Sequence, residues 1–192
     1  MRPTAFACVV LFVLLVLPLF AGAEPALSPD LLERPFPSSD SPSLSLADVR
    51  RDRELLVVTF FSASCPCQRA HDPRLIDLAK AFGDRVAFVA VDAAATASQE
   101  IARREKERRN YPFPILVDPE GVLADALDAR FATYSVVLDT AGRVRYAGGI
   151  DDDRNRLRPD ARLHLRDALL ALLAGKDPDP ARTKVFGCFL RR

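Results

Sequence analysis

The sequence predicts an α/β sandwich, a central mixed sheet flanked by helices. Two continuous apolar runs of strand length, Leu55–Phe61 and Val86–Val91, carry β-branched and aromatic residues and suit strands buried on both faces. Between them Ala70, Leu75, Leu78, Ala79 and Phe82 recur at helical spacing, with Gly83 as the stop. Near the end, Ser135–Asp139 and Arg143–Ala147 flank Thr140-Ala141-Gly142, which reads as a hairpin with a glycine turn. Strands that alternate with helices and then close in a hairpin build a mixed sheet covered on both sides.

Taken in order, residues 1–23 read as a secretory signal peptide. Arg2 is a short charged start, Ala5 to Phe20 is an almost unbroken apolar run, and Ala21-Gly22-Ala23 offers small residues for cleavage before Glu24. An uncleaved N-terminal membrane anchor is the alternative, though 16 residues are short for a span. Residues 24–43 are rich in Pro and Ser, lack periodicity and read as an extended leader. The domain proper is expected over 44–175. Within it, residues 97–109 form a charged helix whose charges suit a solvated face. Residues 114–118 form a short third strand, and 121–131 a helix or turn. Leu165, Ala168, Leu169 and Leu172 mark a last amphipathic helix ending at Gly175. Residues 176–192 are a C-terminal tail carrying Cys188.

Composition narrows the function. Basic residues number 27 against 26 acidic ones, so no excess charge points to a nucleic-acid partner. The single methionine is the initiator, which excludes a methionine-based metal site. Of the four cysteines, Cys8 falls inside the leader peptide and reads as a small apolar residue. Export places the other three, Cys65, Cys67 and Cys188, in an oxidising compartment. Three thiols leave one over in any pairing, which describes a reactive thiol with a choice of partners better than a set of structural staples.

Cys65 and Cys67, in Ser64-Cys65-Pro66-Cys67-Gln68, fall where a buried strand gives way to a helix. Sites form at that end of α/β sheets. A thiol at a helix N-terminus faces unpaired N–H groups and the positive end of the macrodipole, so its pKa is expected to fall below the free value of about 8.5. Arg69 and His71 lie within the next turn and could add positive charge, and His71 could carry a proton or simply be an exposed helix histidine. Asp92 and Asp118 end strands near the same edge, where proton transfer and turn formation explain them equally. Gly148–Asp153 lacks the spacing of a calcium loop and reads as a solvated loop.

The segment Val57–Phe82 resembles the thioredoxin-like superfamily: buried strand, cysteine loop, then a helix interrupted by a proline, here Pro73. Ser135–Asp139, Gly149-Ile150-Asp151 and the Thr183–Cys188 stretch (Thr-x-x-x-Gly-Cys) are similar to the redoxin and peroxiredoxin-like branch, related to AhpC/TSA proteins. The resemblance covers about residues 36–190 and implies Cys65 as nucleophile, with Gln68 where the second cysteine of a CxxC motif would stand. Two departures follow. Thr133 is followed by Tyr134 instead of the family's cis-proline; a cis bond there would cost about 2.5–4 kcal/mol, so a trans peptide is expected. Val58 and Phe60 occupy the positions where peroxiredoxins place a proline upstream of the cysteine.

The expected activity is thiol–disulfide exchange, with Cys65 attacking and Cys67 or Cys188 as its partner; peroxide reduction is the alternative. The implied partners are protein thiols and disulfides, or peroxide. The sequence does not name the reductant, and no membrane contact is expected after leader removal. No cofactor and no metal ion are expected. Two further alternatives are a copper carrier built on Cys65 and Cys67 with His71 or His164, and a non-catalytic binding module.

Overall fold

Leu55–Phe61 is the middle strand of the sheet, and its alternating side chains divide the core in two. The computed structural model describes residues 26–190; the expected signal peptide and Cys8 lie outside them. Strand β1 (Leu55–Phe61) pairs in parallel with β2 (Val86–Asp92), which pairs in parallel with β3 (Ile115–Val117). On its other side β1 runs antiparallel to β4 (Ser135–Leu138), which forms the hairpin with β5 (Val144–Gly148). The sheet order is β3-β2-β1-β4-β5, the mixed sheet that the alternation of elements predicts.

Leu55, Val57 and Phe61 point to one face, where Leu75 and Leu78 of α3 (Pro66–Phe82) and Leu165 and Leu169 of α6 (His164–Leu173) cover them. Ala102 of α4 (Gln99–Arg109) joins that side. Leu56, Val58 and Phe60 point to the other face, against Leu46 of α2 (Leu46–Arg50) and Leu123 of α5 (Val122–Ala126). Each buried side chain of this size contributes roughly 1.5–3 kcal/mol. No described helix is long and apolar enough to cross a membrane.

Three expectations need correction. From residue 26 onward the expected extended leader is packed onto the domain: α1 (Pro29–Glu33) is capped by Ser28, while Leu27 and Phe36 are buried in the second core. Ser38 bridges to Leu116 and Val117 N donates to Pro37 O, so this segment covers the open edge of β3. Its prolines break periodicity without preventing burial. The charge run at 97–109 is not wholly solvated, since Glu105 and Arg109 are buried. Asp151 and Asp153 are buried too, against the reading of Gly148–Asp153 as a solvated loop.

Candidate functional site

Cys65 caps α3, and local sequence explains why. β1 ends at Phe61, and Cys65 N donates to Ser62 O, closing a turn that leads out of the sheet. The residue before a proline is held extended, here at φ −79° and ψ 118°. Pro66 then opens the helix, where its missing N–H costs nothing. The Cys65 sulfur accepts from Gln68 N at 3.5 Å, which makes the cysteine itself the helix cap. It also accepts from Cys188 N at 3.4 Å.

Cys188 reaches this place because the tail is pinned twice. Ala147 N donates to Ala181 O and Thr183 N to Ala147 O, while Thr183 Oγ1 lies 2.6 Å from Tyr146 Oη. Farther along, residues 186–190 run against residues 130–133. Ala132 N donates to Cys188 O, Leu190 N to Arg130 O, and Thr133 Oγ1 to Phe186 O. Gly187 is the close approach, since a Cβ there would sit 1.8 Å from Ala132 O. The facing residue Thr133 is left-handed at φ 72°, a strained state for a β-branched residue, and its peptide to Tyr134 is trans.

The sulfurs of Cys65, Cys67 and Cys188 thus all lie within 4.8 Å of one another. Cys65 is 1% exposed, whereas the other two are half-buried. Burial, then the charge and hydrogen bond of Cys65, push the Cys67 thiol up. The same causes push Cys188 up to about 12. Both thiols therefore favour their protonated form beside Cys65 Sγ.

His71 is buried rather than exposed. Its Nδ1 lies 2.7 Å from Cys67 O and its Nε2 2.9 Å from Asp151 Oδ1. Both partners are acceptors, so both ring nitrogens carry protons. Burial opposes that charge, but Asp151 and the Cys67 carbonyl outweigh it and raise the His71 pKa. Arg74 pairs with Asp151 and Asp153, and Asp153 also binds Arg158. His71 therefore fixes the Cys67 peptide and does not point at a sulfur. His164 opens α6 and lies outside the thiol cluster; the copper site imagined with either histidine is not formed.

Sequence reasoning missed a second network. Asp72 accepts from Tyr111 Oη, from Gln68 Nε2 at 3.2 Å and from the Arg109 guanidinium. Arg109 also donates to Glu105 at 3.0 Å and to Ala63 O at 3.0 Å, and stacks over Phe61. This anchors the turn before Cys65 from α4. Gln68, at the usual second-cysteine position, supports that network. Arg69 is exposed. Asp92 and Asp118 have structural work: Asp92 accepts from Ala94 N, and Asp118 from Val122, Leu123 and Ala124 N at the start of α5. A surface cavity of about 720 Å³ opens among Arg53, Gly83, Val86, Phe88 and Phe113 and is lined by none of the cysteines.

Comparison with known proteins gives the family and the fold. Residues 23–162 match the family model for Redoxin. The chain belongs to the Redoxin family. The matched span includes Cys65 and Cys67 and ends before Cys188. A curated relative, the thioredoxin-like protein YneN of Bacillus subtilis, is 30% identical over 102 residues, 53% of this redoxin and 58% of that protein. The chain thus spans little more than half the length of that relative. An uncharacterized conserved protein from Geobacillus kaustophilus is 29% identical, with a TM-score of 0.73 over 83% of this chain and 88% of its own. A hypothetical protein from Sinorhizobium meliloti 1021 is 27% identical at the same TM-score of 0.73, over 88% and 98%. PrxQ of Xylella fastidiosa shares the thioredoxin-like fold, with a TM-score of 0.61 at 18% identity over 79% and 95%.

Proposed function

We propose that this redoxin is a thiol–disulfide oxidoreductase acting outside the cytoplasm, with Cys65 as nucleophile and Cys188 as resolving thiol. The carrying observation is the tail that holds Cys188 N 3.4 Å from Cys65 Sγ across 123 residues of sequence. Two amide donors at that sulfur stabilise negative charge on it as it attacks or leaves. The N-terminal sequence of residues 1–23 supports export.

In the reducing direction, the Cys65 thiolate attacks one sulfur of a protein disulfide. That S–S bond breaks, and the departing partner thiolate takes up a proton. Cys188 then gives up its proton and attacks Cys65 Sγ. A Cys65–Cys188 bond forms and the second partner thiol leaves. The partner gains two electrons, the redoxin loses two, and an external dithiol returns them. Peroxide reduction is the weaker reading. Arg109, the guanidinium at Ala63 O, is engaged by Asp72 and Glu105, and Ser62 Oγ faces Ser64 Oγ at 3.4 Å.

A disulfide map of the mature protein, purified without reductant and alkylated, tests the reading. A Cys65–Cys188 peptide is expected. A Cys65–Cys67 link would move the resolving role to the short Cys-Pro-Cys loop. Three free thiols would remove the enzyme reading in favour of a binding module. In a protein-disulfide reduction assay, Cys65→Ser should lower the rate at least about 100-fold, since it removes the attacking atom. Cys188→Ser should accumulate a mixed disulfide with the partner.

A further inference from the structure

The thiol cluster is also a set of soft ligands converging from two distant parts of the chain. We propose that in its reduced form Cys65, Cys67 and Cys188 bind one Cu(I) ion in a three-thiolate site. This goes beyond the redox reading and holds whether or not that reading does.

Geometry comes first. Metal–sulfur bonds of about 2.3 Å in a trigonal plane place sulfurs about 4 Å apart. The three sulfurs here lie within 4.8 Å of one another. Closing the remaining distance needs less than the reach of a side-chain rotation, and two of the three cysteines are half-buried and open to an incoming ion.

Ligand number and type choose the metal. Thiolates select Cu(I) and Zn(II) among common ions. Zn(II) is almost always four-coordinate, and the cluster among the described residues offers three ligands. The nearest histidine, His71, has both ring nitrogens committed to Cys67 O and Asp151. Three soft ligands without a fourth suit Cu(I).

Charge is also provided for. Gln68 N and Cys188 N already point at Cys65 Sγ, and the N-terminus of the 17-residue helix α3 faces the cluster. These offset the negative charge of a Cu(I)–trithiolate. Binding forms three Cu–S bonds and releases the protons the thiols held, with no change in the oxidation state of copper or sulfur. A Cys65–Cys188 disulfide removes two of the three ligands, so oxidation and copper binding exclude each other.

The test is an anaerobic titration of fully reduced mature protein with Cu(I) supplied as a bathocuproine complex. Zn(II) and the oxidised protein are run in parallel. One equivalent of Cu(I) is expected, with three sulfur neighbours by X-ray absorption. Cys65→Ser, Cys67→Ser and Cys188→Ser should each weaken binding tenfold or more, with circular dichroism confirming that each variant is folded. The oxidised protein should not bind. Absent binding, two-sulfur coordination indifferent to Cys188→Ser, or tighter binding of Zn(II) than of Cu(I) would each overturn the proposal. The disulfide map reads the redox function separately.

Discussion

His71 shows how a single side chain can join two stretches of sequence that no local pattern connects. It sits one turn after Cys67 and meets Asp151, 80 residues away. Because its folded pKa is raised above 6.5, the stabilisation it brings is complete below 6.5 and is lost as pH rises through the raised value. Asp151, opposed by burial but held down by His71 and Arg74, has a lowered pKa; its contribution is complete above about 3.8 and is lost as pH falls through the lowered value. The pair is therefore strongest between about pH 4 and 6.5. His71→Gln should flatten the decline in melting temperature above pH 6.5 and cost about 2 kcal/mol at pH 6. An unchanged pH profile would show that His71 is neutral in the fold. Asp92 runs the opposite way to Asp151 and, like His71, loses stability as pH rises. Burial pushes its carboxyl up to about 6, so the native state holds a proton longer and stability falls between pH 3.8 and 6. Asp92→Asn keeps an oxygen for Ala94 N and should stabilise the protein at pH 8 by on the order of 2 kcal/mol in urea unfolding. Equal stability of the two proteins at pH 8 would count against a raised carboxyl. At this scale the cysteines were legible because their chemistry is rare. The partners of His71, Asp72 and Arg109 were not, because each lies on another element.

At the level of elements, what could be read followed length. β1 and β2, with 7 residues each, and α3, with 17, carry enough residues to display a period. α1 and α2, with 5 residues each, show less than two turns, and tertiary contacts define them. The tail was visible only as the Thr183, Gly187 and Cys188 of a short motif. Its path depends on backbone hydrogen bonds to residues 130–133, which no side-chain pattern encodes. Gly187 is where that path can be broken. In Gly187→Ala the new Cβ meets the backbone oxygen of Ala132, which cannot rotate away, so residues 186–190 should leave the groove. Cys65, now 1% exposed, should then alkylate at least about tenfold faster, while the sheet and its helices keep their circular dichroism. Unchanged labelling would mean that the tail is not what shields Cys65.

For the whole molecule, the question is what the tail contributes to stability once it is covalently attached. The sheet places Cys65 at the end of its central strand and the chain returns to it only after β5 and α6. A Cys65–Cys188 bond therefore closes a loop of 123 residues. By loop-closure entropy such a loop stabilises the folded state by about 4–5 kcal/mol, an upper figure because native strain subtracts from it. A Cys65–Cys67 bond constrains almost none of the unfolded chain. The two pairings thus differ in a property that needs no chemical assignment. With about 2–4 °C per kcal/mol for a chain of this size, oxidised protein should melt roughly 10 °C or more above reduced protein if Cys188 resolves. It should melt within a degree or two if Cys67 does. Cys188→Ser should abolish the difference in the first case and leave it unaltered in the second. The same bond that stores two electrons would then also tie the last strand-like segment to the active-site helix. Reduction by a partner would loosen the tail while restoring the nucleophile, and electron transfer and tail release would be one event.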